Sequence, residues 1–501
     1  MFLWVEVFTA YAERIEAEME ADMGGTKRAV AGFVAGKWLE EGGAAAGLLD
    51  KYTGEVIAEV AATDRSQVSE AVVALQESQR WMILPPRQRA DILLRAAELV
   101  RARRSELTRT VQADTGFALG DAVKEVDRTA ETLTLCAEEA KRLVGHMVPI
   151  QGAPNSPGRI SYAKCEPYGL VCALTPFNSP LNTVAHKVAP AIAAGNSVLL
   201  KPASLTPLSA QAFVQLLLDA GLPPEKIGLV YGPGAQVGRW LAEEPAIAYY
   251  AFTGSTAAGE QLHRSVGMRR TQLEMGSLAS TFVCRDADVE SAAKAIVGGA
   301  LRKSGQVCTS VQRVYVDEVI REDLVRLVAA GMTKEVAGDP GEPETTVGPL
   351  IARAEACRVE EWIAEAVRLG GELVCGGTRK GSVVEPAVLI DVPDSARIVT
   401  SELFGPAVVI RSFRDLGQAL EEANSTPYGL AAGIFTNSLD LSFQAIDALD
   451  VGNLYINQTS SSRADLMPFG GFKLSGFGGS EGPAYAVRDM SREKTVTWAL
   501  P

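Results

Sequence analysis

The chain has 501 residues, 47% of them apolar, and a formal net charge of −13. A chain of this length exceeds what one hydrophobic core usually serves, so we expect two or more domains. The 61 acidic residues outnumber the 48 basic ones, which form no basic stripe, and this argues against a nucleic-acid partner. Seven cysteines are scattered without close pairs or zinc-like spacing, which favours a reducing, cytoplasmic compartment and predicts no metal site.

The N-terminal residues do not have the pattern of a secretory signal. Met1–Phe8 is apolar but contains Glu6 and lacks a basic leader, so we expect no such signal. Residues 1–30 are rich in Ala and Glu and are predicted to form a helical extension. The uncharged stretch Pro167–His186 contains prolines and asparagines that would leave backbone groups unsatisfied in lipid. It is therefore predicted as a buried strand, a loop and the start of a helix, with no membrane partner.

Helical patterns come first along the chain, and short apolar runs follow. The helices predicted from apolar residues at three- and four-residue intervals are Ser66–Gln79, Pro86–Thr115 and Asp121–Leu143. The β-branched runs predicted as strands are Gly169–Leu174, Ser197–Leu200, Lys226–Tyr231, Ile247–Phe252, Ser280–Val283, Gln312–Val316 and Ala407–Phe413. Strand–helix alternation at this spacing predicts an α/β fold with parallel sheets. The segment Pro149–Glu166 is rich in turn residues and is predicted as a loop or hairpin.

A tight turn follows the strand that ends at Phe252. Ser255 closes the turn where a helix N-cap belongs, and a helix is predicted over Thr256–Val266. A strand that leads into a helix N-terminus directs unpaired N–H groups and a positive dipole at an anion, such as a dinucleotide pyrophosphate. Because the turn is not a GxGxxG fingerprint, a simple helix cap is the alternative.

Three further motifs carry an amide, a carboxylate and a thiol. They are Thr175-Pro176-Phe177-Asn178, Leu273-Glu274-Met275-Gly276 and Gly305-Gln306-Val307-Cys308. Together with the turn before Thr256, these motifs resemble those of the aldehyde dehydrogenase superfamily, and the resemblance extends from about Val34 to Val496. The spelling of the motifs is most similar to the subgroup that oxidises lactaldehyde, phosphonoacetaldehyde and related short aldehydes.

The resemblance assigns a catalytic role to each of these groups. Cys308 adds to the aldehyde, while its own N–H and the Asn178 amide hold the oxyanion. After hydride has left, Glu274 takes a proton from the water that hydrolyses the thioester. Lys187 and Glu481 match the family positions proposed to relay protons, with an ordinary ion pair as the alternative. The remaining cysteines are interpreted as inert: Cys136, Cys165, Cys172, Cys284, Cys357 and Cys375.

The resemblance also assigns the residues that bind the cofactor. Lys201 stands at the C-terminal edge of a strand, where open α/β sheets bind ligands, although a surface lysine is the alternative. The family uses this lysine for the adenosine ribose and Glu402 for the nicotinamide ribose. Ser204 replaces a frequent glutamate that repels a 2′-phosphate, so NAD is expected and NADP is permitted. The residues assigned to the cofactor are Thr175, Pro176, Phe177, Lys201, Ser204, Gly234, Gly238, Phe252, Thr253, Gly254, Ser255, Glu402 and Phe404.

The loop Gln458–Met467, before the family's C-terminal signature Pro468–Gly476, is where relatives contact their substrates. Arg463 in this loop is predicted to bind an anionic group at the far end of a small aldehyde, and a surface pair with Asp465 is the alternative. His186 stands where many relatives have a tryptophan, which indicates a more polar tunnel. The predicted substrate residues are Arg128, Phe177, Arg463 and Phe469.

The resemblance implies a Rossmann-type nucleotide domain, an α/β catalytic domain and a small oligomerisation hairpin. The predicted bounds are 31–148 and 168–273 for the nucleotide domain, 274–472 for the catalytic domain, and 149–167 and 485–501 for the oligomerisation segments. Because family members form dimers and tetramers, a homodimer or homotetramer is expected.

Three alternatives remain open. Gly478-Gly479-Ser480-Glu481-Gly482 matches the GxSxG pattern of serine hydrolases, but a nucleophile elbow needs a preceding strand and a histidine partner. The same fold can transfer its acyl group to coenzyme A, although members that do so commonly lack the glutamate at the place of Glu274. A non-catalytic protein that retains the fold is the third alternative.

Overall fold

The computed structural model describes residues 28–39, 45–154, 156 and 158–499. Within these residues, one sheet has eight strands and its five central strands run parallel, as predicted. In spatial order the strands are Gly476–Gly478, Arg270–Glu274, Tyr249–Thr253, Leu170–Leu174, Ser197–Lys201, Ile227–Leu229, Phe33–Val34 and Lys37–Trp38. The strands Leu170–Leu174 and Ser197–Lys201 are buried throughout, which is why they have continuous apolar runs and no alternation.

A second sheet has seven strands in the described part of the chain. All of its pairs are parallel except the edge pair formed by Glu372–Cys375. In spatial order the strands are Glu372–Cys375, Ala387–Ile390, Ala407–Phe413, Arg313–Asp317, Ser280–Val283, Ala431–Phe435 and Asn453–Ile456. The boundary predicted between residues 273 and 274 thus falls at the end of a strand of the first sheet.

Helices cover the sheets. They are Arg65–Trp81, Pro86–Ala102, Arg104–Thr115, Leu119–Arg142, Asn182–Ala194, Pro207–Asp219, Gly234–Glu243, Thr256–Val266, Val289–Leu301, Arg321–Lys334, Arg353–Arg368, Arg397–Thr400, Leu416–Asn424, Leu439–Ala448 and Pro483–Asp489. The single helix predicted over Pro86–Thr115 is wrong, because Arg103 leaves the helical conformation (φ −102°, ψ 25°) and divides it in two. None of the described helices is long and apolar enough to cross a bilayer.

A small sheet is formed by His146–Val148, Arg159–Pro167 and Ser491–Ala499. The last two strands pair antiparallel over nine positions, from Ser491 opposite Pro167 to Ala499 opposite Arg159. The bounds of this sheet differ from the predicted segments 149–167 and 485–501. The strand His146–Val148 joins this sheet, whereas residues 485–489 belong to a helix that packs on the helices of the first sheet.

The predicted N-terminal helix, residues 1–30, lies outside the described residues up to position 27. Arg28–Val30 is a strand and not a helix, because it pairs in parallel with Val56–Ala61 and buries Val30. A third strand, Ala45–Leu49, completes this sheet.

Candidate active site

A cavity of ≈ 630 Å³ is lined by residues that flank strands of both large sheets. The carboxyl ends of neighbouring parallel strands meet at one edge of a sheet, so the predicted motifs after these strands converge there. The predicted residues that line it are Arg128, Thr175, Pro176, Phe177, Asn178, Lys201, Ser204, Gly234, Phe252, Thr253, Gly254, Ser255, Glu274, Cys308, Glu402, Phe404, Arg463, Phe469 and Glu481. Gly238, one turn beyond Gly234 in the same helix, is not among the described lining residues.

Cys308 follows a strained turn at the end of helix Val289–Leu301. Three consecutive residues of the turn Arg302–Gly305 have positive φ values of 53°, 56° and 75°. A Cβ at Gly305 would come within 2.1 Å of the Gly405 carbonyl oxygen, so only glycine fits there. The turn ends the helix abruptly and presents the thiol to the cavity.

The thiol is the resting form of Cys308. Burial, and then the negative charge of Glu402, raises the pKa of Cys308 to about 12, while Arg463 acts in the opposite direction. A thiol with so high a pKa is a poor nucleophile until positive potential is brought near it.

Asn178 is fixed through its own backbone carbonyl. Lys303 Nζ donates to this oxygen at 2.9 Å and to the Glu125 carboxylate at 2.6 Å, and all three residues are buried. Glu125 also accepts from the Ser179 hydroxyl at 2.7 Å. Burial disfavours the ionised form of Glu125, but Lys303 outweighs this effect and lowers its pKa. The ion pair therefore holds the amide-bearing loop against the turn that precedes Cys308.

Glu274 ends the strand Arg270–Glu274 with its carboxyl group buried. The side chain is 3% exposed, and neither oxygen has a hydrogen-bond partner among the described residues. Burial and then the negative charge of Glu481 raise the pKa of Glu274 well above its usual value, against the opposite effects of Lys187 and Arg463. A carboxyl group with a raised pKa is suited to take a proton from water near neutral pH.

Glu481 is the centre of a buried polar cluster. Its carboxylate accepts from Lys187 at 3.0 Å, from the Thr253 hydroxyl at 3.3 Å and from Arg463 at 2.9 Å. Burial disfavours the ionised form of Glu481, but Lys187 and Arg463 outweigh it and hold its pKa below the usual range. The alternative pairing of Arg463 with Asp465 is therefore wrong, because its guanidinium is bound to Glu481.

Asp465 instead joins the helices Leu119–Arg142 and Asn182–Ala194. Arg128 donates two hydrogen bonds to it, at 3.0 and 2.7 Å, and His186 Nε2 lies 2.8 Å from the same carboxylate. Although burial acts in the opposite direction, these two partners hold the pKa of Asp465 well below its usual range. The polar environment predicted at His186 is thus a buried hydrogen-bonded network.

A third guanidinium group, which the sequence did not single out, belongs to Arg302. It lines the cavity with Arg128 and Arg463, and its buried Nε has no hydrogen-bond partner among the described residues. Burial and then the positive charge of Arg128 lower the pKa of Arg302. A set of guanidinium groups with unused donors is able to bind a carboxylate, phosphonate or sulfonate.

The start of the helix Thr256–Val266 forms part of the cavity wall. Ser255 caps this helix, because its hydroxyl accepts from the Ala258 N–H at 3.4 Å, and the predicted turn and helix are both confirmed. The Thr175 hydroxyl lines the same space and is buried without a partner in the described residues. Burial lowers the pKa of Lys201 to about 8. An unpaired hydroxyl and a buried lysine in a cavity that includes a helix N-terminus fit a ligand with phosphate and hydroxyl groups, as a nicotinamide dinucleotide has.

Glu402 and Ser204 also line this cavity. Glu402 accepts from the Ser277 N–H at 3.0 Å, and burial raises the pKa of Glu402 to about 7. The Ser204 hydroxyl donates to the Gly232 carbonyl at 2.8 Å. The rings of Phe177 and Phe404 meet edge to face, with centroids 5.7 Å apart.

Comparison with known proteins decides the family. The model of the aldehyde dehydrogenase family matches residues 38–496. The chain belongs to this family. The 3-sulfolactaldehyde dehydrogenase of Priestia aryabhattai is 39% identical over 468 residues, which cover 93% of this chain and 98% of that protein. The lactaldehyde dehydrogenase of Methanococcus vannielii is 37% identical over 469 residues, covering 93% and 99%. Both the predicted family and its lactaldehyde-like subgroup are confirmed.

Solved structures of aldehyde dehydrogenases agree. Aldehyde dehydrogenase 21 from Physcomitrella patens, in complex with the reaction product succinate, has a TM-score of 0.91 at 32% identity and covers 95% of this chain and 99% of its own. The NADP-dependent glyceraldehyde-3-phosphate dehydrogenase from Bacillus halodurans, complexed with NADP, has a TM-score of 0.92 at 31% identity, with 95% and 100% covered. The predicted fold is confirmed, and the protein is an NAD(P)-dependent aldehyde dehydrogenase that oxidises an aldehyde to an acid.

The geometry gives no support to a hydrolase at Ser480. None of the described hydrogen bonds joins a histidine to this serine. His186 is bound to Asp465, His263 packs on the Phe477 ring, and His146 lies 3.9 Å from Glu493.

Proposed function

We propose that this aldehyde dehydrogenase acts on a small aldehyde with an anionic or polar tail, through a thioester formed on Cys308. One observation carries the proposal: a thiol, a carboxyl, an amide and three guanidinium groups line a single cavity, namely Cys308, Glu274, Asn178, Arg128, Arg302 and Arg463. The names of the relatives that act on 3-sulfolactaldehyde and lactaldehyde support a short polar substrate.

The reaction begins when the Cys308 thiol gives up its proton to solvent and the resulting thiolate adds to the aldehyde carbon. The backbone N–H of Cys308 and the Asn178 amide stabilise the negative charge that develops on the aldehyde oxygen, and loss of one such donor typically costs about 2.7–4 kcal/mol. The bound dinucleotide supplies the acceptor for the hydride that leaves this carbon, and a thioester remains on the sulfur. Glu274 then removes a proton from water, whose oxygen attacks the thioester carbon. The sulfur leaves as a thiolate and the carboxylic acid is released.

The three guanidinium groups suit the tail of the substrate. Arg128 has two of its donors occupied by Asp465, and Arg463 has one occupied by Glu481. Arg302 makes a long contact of 3.4 Å with the Ser461 carbonyl, and no described residue pairs with its buried Nε. We therefore assign the principal anion contact to Arg302.

The choices of acyl acceptor and of nucleotide follow from two residues. The presence of Glu274 supports water as the acceptor of the acyl group rather than coenzyme A. Ser204 carries no charge that would repel a 2′-phosphate, so both NAD and NADP are accepted. Acyl-CoA formed faster than free acid when coenzyme A is supplied would contradict the first assignment.

The first experiment identifies the acylated residue. A Glu274→Gln variant supplied with aldehyde and nucleotide is expected to accumulate an acyl adduct, and peptide mass spectrometry is expected to find it on Cys308. The Cys308→Ala variant should carry none. An adduct on another side chain, or its complete absence in the Glu274→Gln variant, would reject the thioester mechanism.

The second experiment tests whether Arg302 binds the anionic tail of the substrate. Initial rates are measured for aldehydes of equal length with a neutral or a sulfonate, phosphonate or carboxylate end, with each nucleotide. In Arg302→Met the KM of the anionic aldehydes should rise at least about tenfold, because a charge-assisted hydrogen bond is lost. The KM of the neutral aldehyde should change little. Equal effects on both would show that Arg302 does not bind the tail.

A further inference from the structure

Arg463 is shared between the cavity and the carboxylate behind it. Its Nη2 donates to Glu481 at 2.9 Å, and its guanidinium lies 3.9 Å from the centre of the Phe469 ring. The side chain is 14% exposed, and its Nε is buried without a partner among the described residues. The group is thus held on one side by Glu481 and on one face by an aromatic ring, while it still lines the cavity.

Glu481 is held from two directions. One carboxylate oxygen accepts from Lys187 at 3.0 Å, and the other accepts from Arg463. The side chains of Glu481 and Lys187 are 3% and 0% exposed, so water does not take the place of either side chain in this ion pair. Two cations therefore compensate one buried carboxylate, which leaves net positive charge beside the catalytic carboxyl group.

The protonation of Glu274 depends first on burial and then on the charges around it. Neither oxygen of Glu274 has a hydrogen-bond partner in the described part of the chain. The charged groups that act on it are Glu481, Lys187 and Arg463, and Cys308 and Glu402 line the same cavity. After burial, the charges of the Glu481 cluster thus act on the pKa of Glu274.

We propose that Arg463 is a positioning residue for the general base: its guanidinium, bound to Glu481 opposite Lys187, offsets the charge of that carboxylate and so favours the ionised form of Glu274 while the thioester is hydrolysed. This function rests on the proposed thioester chemistry and is separate from any contact with the substrate tail. It explains why a cation that lines a substrate cavity is bound to a carboxylate of the protein.

The charges around Glu274 determine the direction in which the pH profile of hydrolysis should move. A base acts in its ionised form, so hydrolysis slows as pH falls through the pKa of Glu274. A positive charge beside Glu274 lowers this pKa, and its removal raises it. Lys187 remains in contact with Glu481 in such a variant and keeps that carboxylate ionised, so the loss of Arg463 is not offset. The acidic limb of the pH profile should therefore move to higher pH.

The test measures decay of the acyl-enzyme in a single turnover of a short neutral aldehyde, between pH 5 and 9, by quenching and intact-protein mass spectrometry. A neutral substrate removes the contribution of tail binding. Arg463→Met should move the acidic limb upward by at least about half a pH unit, or about threefold in rate on that limb. Arg463→Lys keeps the positive charge, so its acidic limb should lie close to that of the parent protein. Arg326→Met, which removes an exposed charge from the helix Arg321–Lys334 outside the cavity, should leave the limb in place.

Two outcomes would overturn the proposal. In the first, the acyl-enzyme of Arg463→Met decays with the pH profile of the parent; in the second, the limb of Arg463→Lys moves as far as that of Arg463→Met. Either outcome would show that the charge has no such function. The proposed function fails differently, because then no adduct forms on Cys308 in the parent protein. Thermal unfolding of each variant, compared with that of the parent, verifies that the profiles come from folded protein.

Discussion

At the residue scale, burial favours the protonated forms of the thiol and the carboxyl group of the site. Desolvation is the first cause of the raised pKa of both Cys308 and Glu274, and each lies close to further carboxylates. The substrate-free protein therefore holds its nucleophile in an unreactive form. Such a form protects the sulfur from oxidation, which proceeds through the thiolate.

Alkylation of Cys308 by iodoacetamide should accordingly be slow at pH 7.5 and should rise about tenfold per pH unit up to pH 10, because only the thiolate reacts. The measurement is peptide mass spectrometry of the substrate-free protein after timed quenching. The exposed Cys357 is the internal control and should be modified first at pH 7.5. A Cys308 rate that levels off below pH 9 would contradict the raised pKa.

At the element scale, the turn Arg302–Gly305 connects a helix to the nucleophile. Gly305→Ala should lower kcat about a hundredfold, because the new Cβ meets the Gly405 carbonyl and displaces the thiol. Gly298→Ala, in the preceding helix and with open space around its Cβ, is the matched control. It should keep full activity and gain up to about 1 kcal/mol in free energy of unfolding. Equal activity of the two variants would show that the turn does not position Cys308.

The helix Leu119–Arg142 is tied to the same turn by the Glu125–Lys303 pair. Glu125→Gln should reduce the free energy of unfolding by about 3–5 kcal/mol, because it leaves the buried Lys303 uncompensated. The control is Glu138→Gln, which breaks an exposed pair with Arg142 and should cost less than about 1 kcal/mol. Urea unfolding measures both. Similar losses in the two variants would contradict the importance of the buried pair.

The sequence predicts those features of the site that depend on residues close together in the chain. Ser255 was expected to cap Thr256–Val266 because a cap is read from neighbouring residues, and strands such as Ser280–Val283 followed from their own apolar runs. Arg302 and Glu125 were missed because their functions depend on contacts across more than a hundred residues. The alternative pair of Arg463 with Asp465 fails for the same reason, since the partner of Asp465 is Arg128 on a distant helix. Arg463 was recognised as a cavity residue, but its bond to Glu481 has no signal in the sequence.

At the scale of the whole molecule, the small sheet presents an open edge. Most side chains of the strand Ser491–Ala499 are exposed, including Trp498 at 58%, and Ile160 opposite it is 40% exposed. Unpaired strand edges and exposed apolar groups are features of association surfaces. We propose that this sheet forms the contact of a homodimer or homotetramer.

A chain that ends at Met490 lacks the strand Ser491–Ala499 and should sediment as a monomer, whereas the full chain should sediment as a dimer or tetramer. Sedimentation velocity measures both, and circular dichroism verifies that the shortened chain is folded. Trp498→Ser tests the same surface without truncation and should weaken association. A monomeric full chain, or a truncated chain that still associates, would contradict this assignment.

The bonds of Asp465 to Arg128 and His186 limit how the enzyme can acquire a new specificity. The loop of Asp465 is the natural segment to exchange between relatives, yet its carboxylate compensates a cation on one helix and binds an imidazole on another. A grafted loop without this carboxylate would leave Arg128 without its counter-ion. Redesign for another aldehyde, in evolution or in the laboratory, therefore requires coordinated changes in three separate segments of the chain.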